Sequence, residues 1–286
     1  MKMMFRTFTL ALLVSVFTIS TAQASLLWKV TGNDLDQPSY LFGTIHVICQ
    51  DRFYMDDRIE EALASSEQLA KEIDISAPGT MMRLQQLMVN PDGPYLEEHL
   101  NEDELATLDQ YFLDNFGVGL AEVGALKPMA LNSMLLMGAM PCADTESYEA
   151  FFAQRASELE LPILELESVE FQMGLFDNIP QGEQVSWLLE MVKDDQATAE
   201  QMESLIDAYL SEDLDTLLAL MEEDPQFAEY AEVLLDERNQ NWVAPIREMI
   251  HERSTFIAVG AGHLPGDMGV INLLQDAGYT VEPVAR

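Results

Sequence analysis

A short pattern that occurs near both ends of the chain constrains its fold most strongly. Residues 40–46 read YLFGTIH and residues 256–263 read FIAVGAGH, so each is an apolar, β-prone run that ends in Gly-x-x-His. Such a run predicts a strand, and its glycine permits a sharp turn or a close backbone approach. Because open α/β sheets build their sites in the loops that follow strands, we expect His46 and His263 at one edge of a sheet.

The other patterns place strands towards the ends of the chain and helices in its middle. Strands are predicted at residues 26–30, 39–45, 69–74, 162–167, 255–260 and 279–284. The first two are spaced as a hairpin, and a helix at 56–66 before the third strand indicates a βαβ unit.

Helical patterns dominate two long regions, residues 76–160 and 169–253. They include a helix that starts at an Asn101/Glu104 capping pair and another over residues 145–159. We therefore predict an α/β (α+β) fold in which a central mixed sheet, built from both chain ends, carries a large helical insertion packed over it. Residues 25–286 are expected to form a single domain.

Residues 1–24 have the pattern of a secretory signal peptide. A basic start is followed by an apolar run at residues 8–19 and by the small-x-small sequence AQA that ends at Ala24. An uncleaved anchor is the alternative, but the run is short against the roughly 20 apolar residues of a membrane span. We expect a Sec-type signal cleaved after Ala24, a periplasmic or secreted protein, and no stable membrane insertion after cleavage.

The charge of the chain argues against two classes of partner. Fifty acidic residues against 14 basic residues give a net charge of −36, which opposes binding to nucleic acid and to anionic membrane surfaces. The charge would attract cations or basic peptides. The simpler explanation of the charge is that it keeps the protein soluble, in a salty environment that screens the repulsion between its acidic groups. We expect a peptide or small-molecule substrate, and the oligomeric state stays undetermined.

The two cysteines, Cys49 and Cys142, have two possible states. Export permits a disulfide, which would close a loop of about 94 residues and contribute about 4–5 kcal/mol in the chain-entropy model. Because Cys49 follows His46 by three residues, the bridge would also hold the predicted site loop. The residues alone leave a disulfide and two free thiols equally open.

His46 and His263 have side chains that bind divalent metals, and Glu72 ends the strand next to the first histidine loop. Imidazole and carboxylate suit first-row metals such as zinc, so Glu72 could be a third ligand or a general base for a metal-activated water. It could also simply end its strand at the surface. Arg238 could clamp a carboxylate or stabilise developing negative charge, and Glu167 could support a ligand or be solvated.

Several of these residues stand in motifs that resemble the TraB/GumN family. The motifs, in family order, are YLFGTIHV at 40–47, EID at 72–74, KP at 127–128, LESVEFQ at 166–172, ERN at 237–239 and VGAGHLPG at 259–266. The resemblance covers about residues 27–284. The family is similar to the Tiki proteins, metal-dependent proteases of the cell surface that clip Wnt amino termini, and more distantly to the erythromycin esterase fold.

The resemblance implies functional roles for particular residues and a manganese or cobalt ion as the metal. The residues that match the family's motifs are Gly43, His46, Glu72, Arg238, Asn239, Gly260 and His263. We add Glu167 and Gly262, which stand within the quoted motifs, as further site candidates. The chain departs from the family's pattern in one place. The family usually has a Gly-x-Asp sequence before the helix predicted at residues 145–159, whereas this chain has MPCAD at residues 140–144.

Three functions remain open from the sequence. The favoured one is an exported, peptidase-like hydrolase that uses a metal-activated water at the paired Gly-x-x-His site, with manganese, cobalt or zinc. The second is a non-catalytic periplasmic protein that binds a peptide or signal in the same cleft, a class that the family's pheromone-shutdown member makes credible. The third is a metal-free esterase with a histidine base. The absence of a His-Glu-x-x-His motif argues against a zincin-type protease.

Overall fold

The computed structural model describes residues 24–93 and 95–286, so the proposed signal peptide lies outside it except for Ala24. The strands are β1 Leu27–Thr31, β2 Ser39–Thr44, β3 Ile48–Cys49, β4 Gln68–Lys71, β5 Thr145–Glu146, β6 Ile163–Glu165, β7 Thr255–Gly260 and β8 Thr280–Pro283. The helices of the amino-terminal half are α1 Asp57–Ala64, α2 Thr80–Leu87, α3 Glu102–Phe116, α4 Leu120–Val123, α5 Pro128–Gly138 and α6 Tyr148–Glu158. The later ones are α7 Val169–Leu175, α8 Gln181–Lys193, α9 Asp195–Leu210, α10 Leu214–Glu222, α11 Pro225–Ala231, α12 Glu237–Glu252 and α13 Val270–Asp276.

Six strands form one mixed sheet in the order β6-β4-β7-β2-β1-β8. Strands β6, β4, β7 and β2 are parallel, while β1 pairs antiparallel with both β2 and β8. Because β7 pairs with β2, Gly43 lies opposite Val259 and Thr44 opposite Gly260. The predicted α/β fold, with its sheet built from both chain ends, is confirmed. The proposed βαβ unit is only partly right, since β7 separates β2 from β4.

Two apolar clusters hold the helices in place. The larger one surrounds the sheet, where β7 is buried from Thr255 to Val259, as expected of a parallel strand covered on both faces. The smaller one lies within the helical insertion, where Phe112 on α3, Leu131 on α5 and Leu188 on α8 meet. The insertion therefore carries a core of its own. The Asn101/Glu104 capping box at the start of α3 is present as predicted.

The predicted helix over residues 145–159 is wrong at its start. Residues Thr145–Glu146 form β5, which pairs antiparallel with β3, and α6 begins at Tyr148 behind a Ser147 cap. This two-stranded ladder was not predicted, because two-residue strands carry no periodicity and their partners are distant in sequence. The predicted strand at 69–74 likewise ends at Lys71, so Glu72 stands just beyond it.

A disulfide joins Cys49 to Cys142 beside the β3–β5 ladder, with a sulfur–sulfur distance of 2.10 Å. The ladder is reinforced by Gln50, whose backbone N–H donates to the Asp144 carbonyl and whose side chain donates to Glu146. The loop after β2 is thus tied to the segment that begins α6. Among the helices of the described residues, none is long and apolar enough to cross a bilayer.

Gly43 allows the closest contact between the two Gly-x-x-His segments. A Cβ atom added there would lie 2.9 Å from Leu264 Cδ1 and 3.0 Å from Ala261 Cα. A Cβ added at Gly260 would meet only ordinary contacts, 3.4 Å from a Glu72 oxygen. Gly43 is thus needed for close packing of the loop that carries His263.

We predict that Gly43→Ala lowers the free energy of unfolding by about 1–3 kcal/mol, the usual effect of overpacking a core. Denaturant titration measures the loss, and Gly260→Ala is the matched control, with a smaller expected change. Equal stability of the two variants would contradict the close approach at Gly43.

We also predict that the double variant Cys49→Ser/Cys142→Ser loses about 2–5 kcal/mol of unfolding free energy, because the unfolded chain gains the entropy of an open loop. Reductant should weaken the wild-type protein by a similar amount and leave the double variant unchanged. Equal denaturation midpoints for the oxidised wild type and the variant would refute this prediction.

Candidate functional site

The carboxyl ends of β2, β4 and β7 bring the predicted site residues to one edge of the sheet. These strands are parallel neighbours, so the segments that leave them emerge side by side. His46 follows β2, Glu72 follows β4, and His263 ends the 3₁₀ turn that follows β7. The two Gly-x-x-His motifs and Glu72 therefore meet as the sequence predicts, although the two histidines have different surroundings.

Glu72 is buried, and each of its oxygens has a partner. Oε1 accepts from the Gly260 backbone N–H at 2.8 Å, and Oε2 accepts from Arg238 Nη2 at 2.6 Å and from Gln172 Nε2 at 2.9 Å. Burial alone would raise the pKa of Glu72, but interactions with His263, Arg238, His46 and the Gly260 amide lower it to about 2. The carboxylate is therefore ionised at neutral pH.

Arg238 connects Glu72 to Glu167. Its Nη2 lies 2.6 Å from Glu167 Oε1, and its Nε donates to both oxygens of Glu167, at 3.1 and 3.2 Å. The guanidinium also lies 4.8 Å from the centre of the Trp242 ring, and the Trp242 indole donates to Glu167 at 3.0 Å. Paired in this way, the buried cation compensates two buried carboxylates.

The hydrogen bonds of His263 assign its tautomer. Nδ1 lies 2.7 Å from Asn239 Oδ1, and Asn239 Nδ2 donates to the Met268 carbonyl, which orients the amide oxygen towards the ring. Nδ1 must then carry the proton, and Nε2 accepts from Arg238 Nη1 at 3.0 Å. Burial lowers the pKa of His263 to about 3. His263 is thus a neutral imidazole at pH 7, and Arg238 is the cation that keeps Glu72 ionised.

His46 differs from His263 because three-quarters of its side chain is exposed. Its Nδ1 lies 2.9 Å from Glu149 Oε1, and Glu149 is positioned by hydroxyl hydrogen bonds from Thr44 and Ser147, both at 3.0 Å. The Glu149 carboxylate raises the pKa of His46, although water screens such an exposed pair. Nδ1 is occupied, so Nε2 is the nitrogen that can meet a substrate.

A cavity of about 230 Å³ joins these groups. It is lined by His46, Glu72, Glu149 and Gln172, among others, while His263 and Arg238 lie behind Glu72. Its volume is below the usual 300–1,000 Å³ of a small-molecule pocket. The cavity suits one side chain or a short segment of an extended ligand.

A metal ion shared by His46, His263 and Glu72 does not fit this arrangement. The donor chemistry is suitable, but Arg238 Nη1 takes the lone pair of His263 Nε2, the atom that would bind the metal. Within residues 24–93 and 95–286, no three His, Cys, Asp or Glu side chains are placed to hold one ion. Binding a metal through both His263 and Glu72 therefore requires Arg238 to move.

The structure adds two polar residues that the sequence did not predict as part of the site. Glu149 orients His46, and Gln172 holds Glu72. Gln172 belongs to the LESVEFQ motif and could have been selected there, whereas no signal marks Glu149 beyond the Ser147 cap two residues earlier. Of the site glycines, Gly260 donates its N–H to Glu72, and Gly262 packs against Met221.

The lowered pKa values predict that acid destabilises the fold. His263 has a pKa near 6.5 in the unfolded protein and about 3 in the folded protein. Between these pH values the unfolded state binds more protons than the folded state. The contribution of His263 to the free energy of unfolding is therefore complete above pH 6.5 and declines as the pH falls towards 3. For Glu72 the decline runs from about pH 4.5 to about pH 2. Each group adds a slope of up to about 1.4 kcal/mol per pH unit.

Urea titration in the presence of chelator between pH 6.5 and 5 tests the histidine contribution, because Glu72 is ionised in both states there. His263→Gln should show a shallower loss of unfolding free energy than the wild type over this window. Parallel slopes for the two proteins would show that His263 is not held neutral.

Comparisons with known proteins identify the family of this chain. The sequence model of the TraB/PrgY/gumN family matches residues 26–283. Metalloprotease TIKI1 of Homo sapiens is 24% identical over 314 residues, which cover 90% of this chain and 61% of the relative. Metalloprotease TIKI2 of Danio rerio is 24% identical over 313 residues, covering 90% and 60%.

The chain spans about three-fifths of the length of these curated relatives. No solved structure matches it. The family match contains both Gly-x-x-His segments, Glu72, Glu167 and the Arg238–Asn239 pair. The chain therefore belongs to the TraB/PrgY/gumN family.

Proposed function

We propose that this protein is an exported, metal-dependent hydrolase that cleaves peptide bonds in the cavity between His46 and Glu72. One observation carries the proposal: an exposed histidine paired with a carboxylate and a buried, ionised glutamate line the same cavity. Such pairs of titratable groups with opposite environments are typical of acid–base sites. Export rests on the signal-peptide pattern of residues 1–24.

The relatives support the reaction class. The TIKI proteins of Homo sapiens and Danio rerio are named metalloproteases, and 90% of this chain aligns with each. The metal requirement rests on these names, because the arrangement of His263, Glu72 and Arg238 leaves no ready metal position. Manganese, cobalt and zinc are the ions to test, since each binds imidazole and carboxylate donors.

His46 is the residue that can move a proton. With Nδ1 bound to Glu149, its Nε2 can donate to the nitrogen that leaves when a peptide bond breaks. Its raised pKa keeps the donor form populated at neutral pH. Glu72, held ionised, is a weak base and is better suited to orienting a water molecule or cation.

The small cavity indicates how a peptide would bind. A volume of about 230 Å³ holds one side chain or a short backbone segment, so the remainder of the substrate would lie across the surface. With 50 acidic and 14 basic residues in the chain, that surface favours basic or neutral peptides over acidic ones.

We predict that His46→Ala reduces peptide turnover by at least about 100-fold, the usual contribution of a general acid. Glu149→Gln should reduce it about 10-fold, because the ring then loses its orientation and part of its charge. His99→Gln is the matched control, because His99 is exposed, its ring is hydrogen-bonded to Gln181 and it does not line the cavity; this variant should keep full activity.

The measurement is mass-spectrometric cleavage of a peptide library by mature protein loaded with Mn²⁺, Co²⁺ or Zn²⁺, alongside chelated protein. Loss of cleavage on chelation is the expected result. Intact peptide recovered tightly bound in all conditions would reject the hydrolase and favour a binding protein. Full activity of His46→Ala would remove His46 from the reaction.

A further inference from the structure

Lys71 is a buried cation that lines the cavity and has no role in the reaction proposed above. It is the last residue of β4, and its side chain is 1% exposed. Lys71 pairs with Ala258 on β7, so the two side chains lie on the same face of the sheet. Phe256, two residues before Ala258, packs against Phe152 of α6 at 5.1 Å between ring centres, so this is the face that α6 covers. The cavity thus lies between Lys71 and the start of α6, where Glu149 also lines it.

The ammonium group of Lys71 has more donors than the protein has acceptors near it. Its Nζ carries three N–H groups, and among the described residues Asp74 Oδ1, at 3.0 Å, is the one acceptor within hydrogen-bond distance. Asp74 is itself held in place, because Oδ1 also accepts from the Ser76 backbone N–H at 3.1 Å and the Asp74 N–H donates to Glu165 at 2.7 Å. Since an unsatisfied charged donor is costly to bury, the two remaining donors of Lys71 call for an acceptor from outside the protein.

These donors select an oxygen atom as their ligand. An ammonium group donates hydrogen bonds and accepts none, so the ligand must offer lone pairs, as carbonyl and carboxylate groups do. The cavity beside Lys71 has a volume of about 230 Å³, which suits a short backbone segment. His46 lines the same cavity, so a group bound to Lys71 shares this small space with the proposed proton donor.

The charges around the cavity favour a neutral carbonyl over a carboxylate. Lys71 brings one positive charge to the lining, while Glu72 and Glu149 bring two negative charges, and a protonated His46 makes the sum zero. A ligand carboxylate would lie near both acids and would approach a chain with a net charge of −36. A backbone amide is uncharged and offers a carbonyl oxygen to Lys71 and an N–H to a carboxylate. The amide is therefore the group that matches this lining.

We propose that Lys71 binds the backbone carbonyl oxygen of the peptide that enters the cavity and so positions the bond to be cleaved beside His46. The inference rests on the proposed function for the cleavage step and assigns Lys71 as a substrate-binding residue. Asp74 acts through Lys71, since it satisfies one donor of Nζ and leaves the other two for the peptide.

The first test measures binding without turnover, by NMR of chelated mature protein labelled with ¹⁵N-lysine. Residues 25–286 contain four lysines, so the ammonium signals are few, and Lys71→Arg assigns the signal of Lys71. The probes are acetyl-trialanine amide and acetyl-trialanine carboxylic acid. We expect the amide to shift the Lys71 signal and to bind more tightly than the acid. A Lys71 signal that the amide does not move, or tighter binding of the acid, overturns the inference.

Lys71→Met keeps most of the apolar stem of the side chain and removes all three donors. It should weaken binding of acetyl-trialanine amide by at least about tenfold, the usual effect of losing a hydrogen bond from a charged group, and raise the KM for peptide cleavage by a similar factor. Lys71→Arg retains donors and should recover part of the binding. Lys127→Met is the matched control, because Lys127 is likewise paired with one acid, Asp177, outside the cavity; its binding of the amide should equal that of the wild type.

A lysine that only stabilises the fold would give a different result. Lys71→Met would then change the melting temperature but not the dissociation constant of the amide, which overturns the inference and leaves the proposed function standing. If Lys71→Met does not fold, the wild-type spectrum still decides, because arginine substitutions at Lys29, Lys127 and Lys193 assign the other three signals. If amide binding depends on Lys71 but no peptide is cleaved, the proposed hydrolase is wrong and the carbonyl-binding site stands.

Discussion

The site depends on one buried cation that satisfies two buried carboxylates. Arg238 binds Glu72 and Glu167 together, and removing one partner of such a buried pair typically costs about 3–5 kcal/mol. The contacts join four parts of the fold, namely the segment after β4, the segment after β6, the start of α12 and the turn after β7. A π-helical turn lies directly before α12, next to these candidate site residues, and such turns often occur at functional sites.

The two histidines of the repeated motif have opposite chemistry because their surroundings differ. His263 is buried against Arg238 and stays neutral, with a lone pair fixed at Nε2. His46 is exposed beside Glu149 and favours the protonated form. One motif thus provides a fixed lone pair and a proton donor, both next to Glu72. This division separates a residue suited to binding a cation from one suited to proton transfer.

Sequence reasoning succeeded where the signal was local. The apolar runs before Gly43 and Gly260 predicted strands, and the ends of these strands were expected to bring His46 and His263 to one edge of the sheet, where the structure places them with Glu72. Sequence reasoning failed where contacts between segments distant in sequence determine the local structure. The β3–β5 ladder that brings Glu149 to His46 joins segments almost 100 residues apart. The contact between Arg238 and His263 follows from how α12 packs on the sheet, which no periodicity encodes.

The most direct test of this account is the protonation state of His263. Long-range ¹H–¹⁵N NMR of ¹⁵N-histidine-labelled, chelated protein resolves the tautomer of each of the four histidines, and His263→Gln assigns the signal. The account predicts a neutral ring with the proton on Nδ1 from pH 7.5 down to pH 5. A protonated ring at pH 6, or a neutral ring with its proton on Nε2, would contradict the hydrogen bond from Arg238.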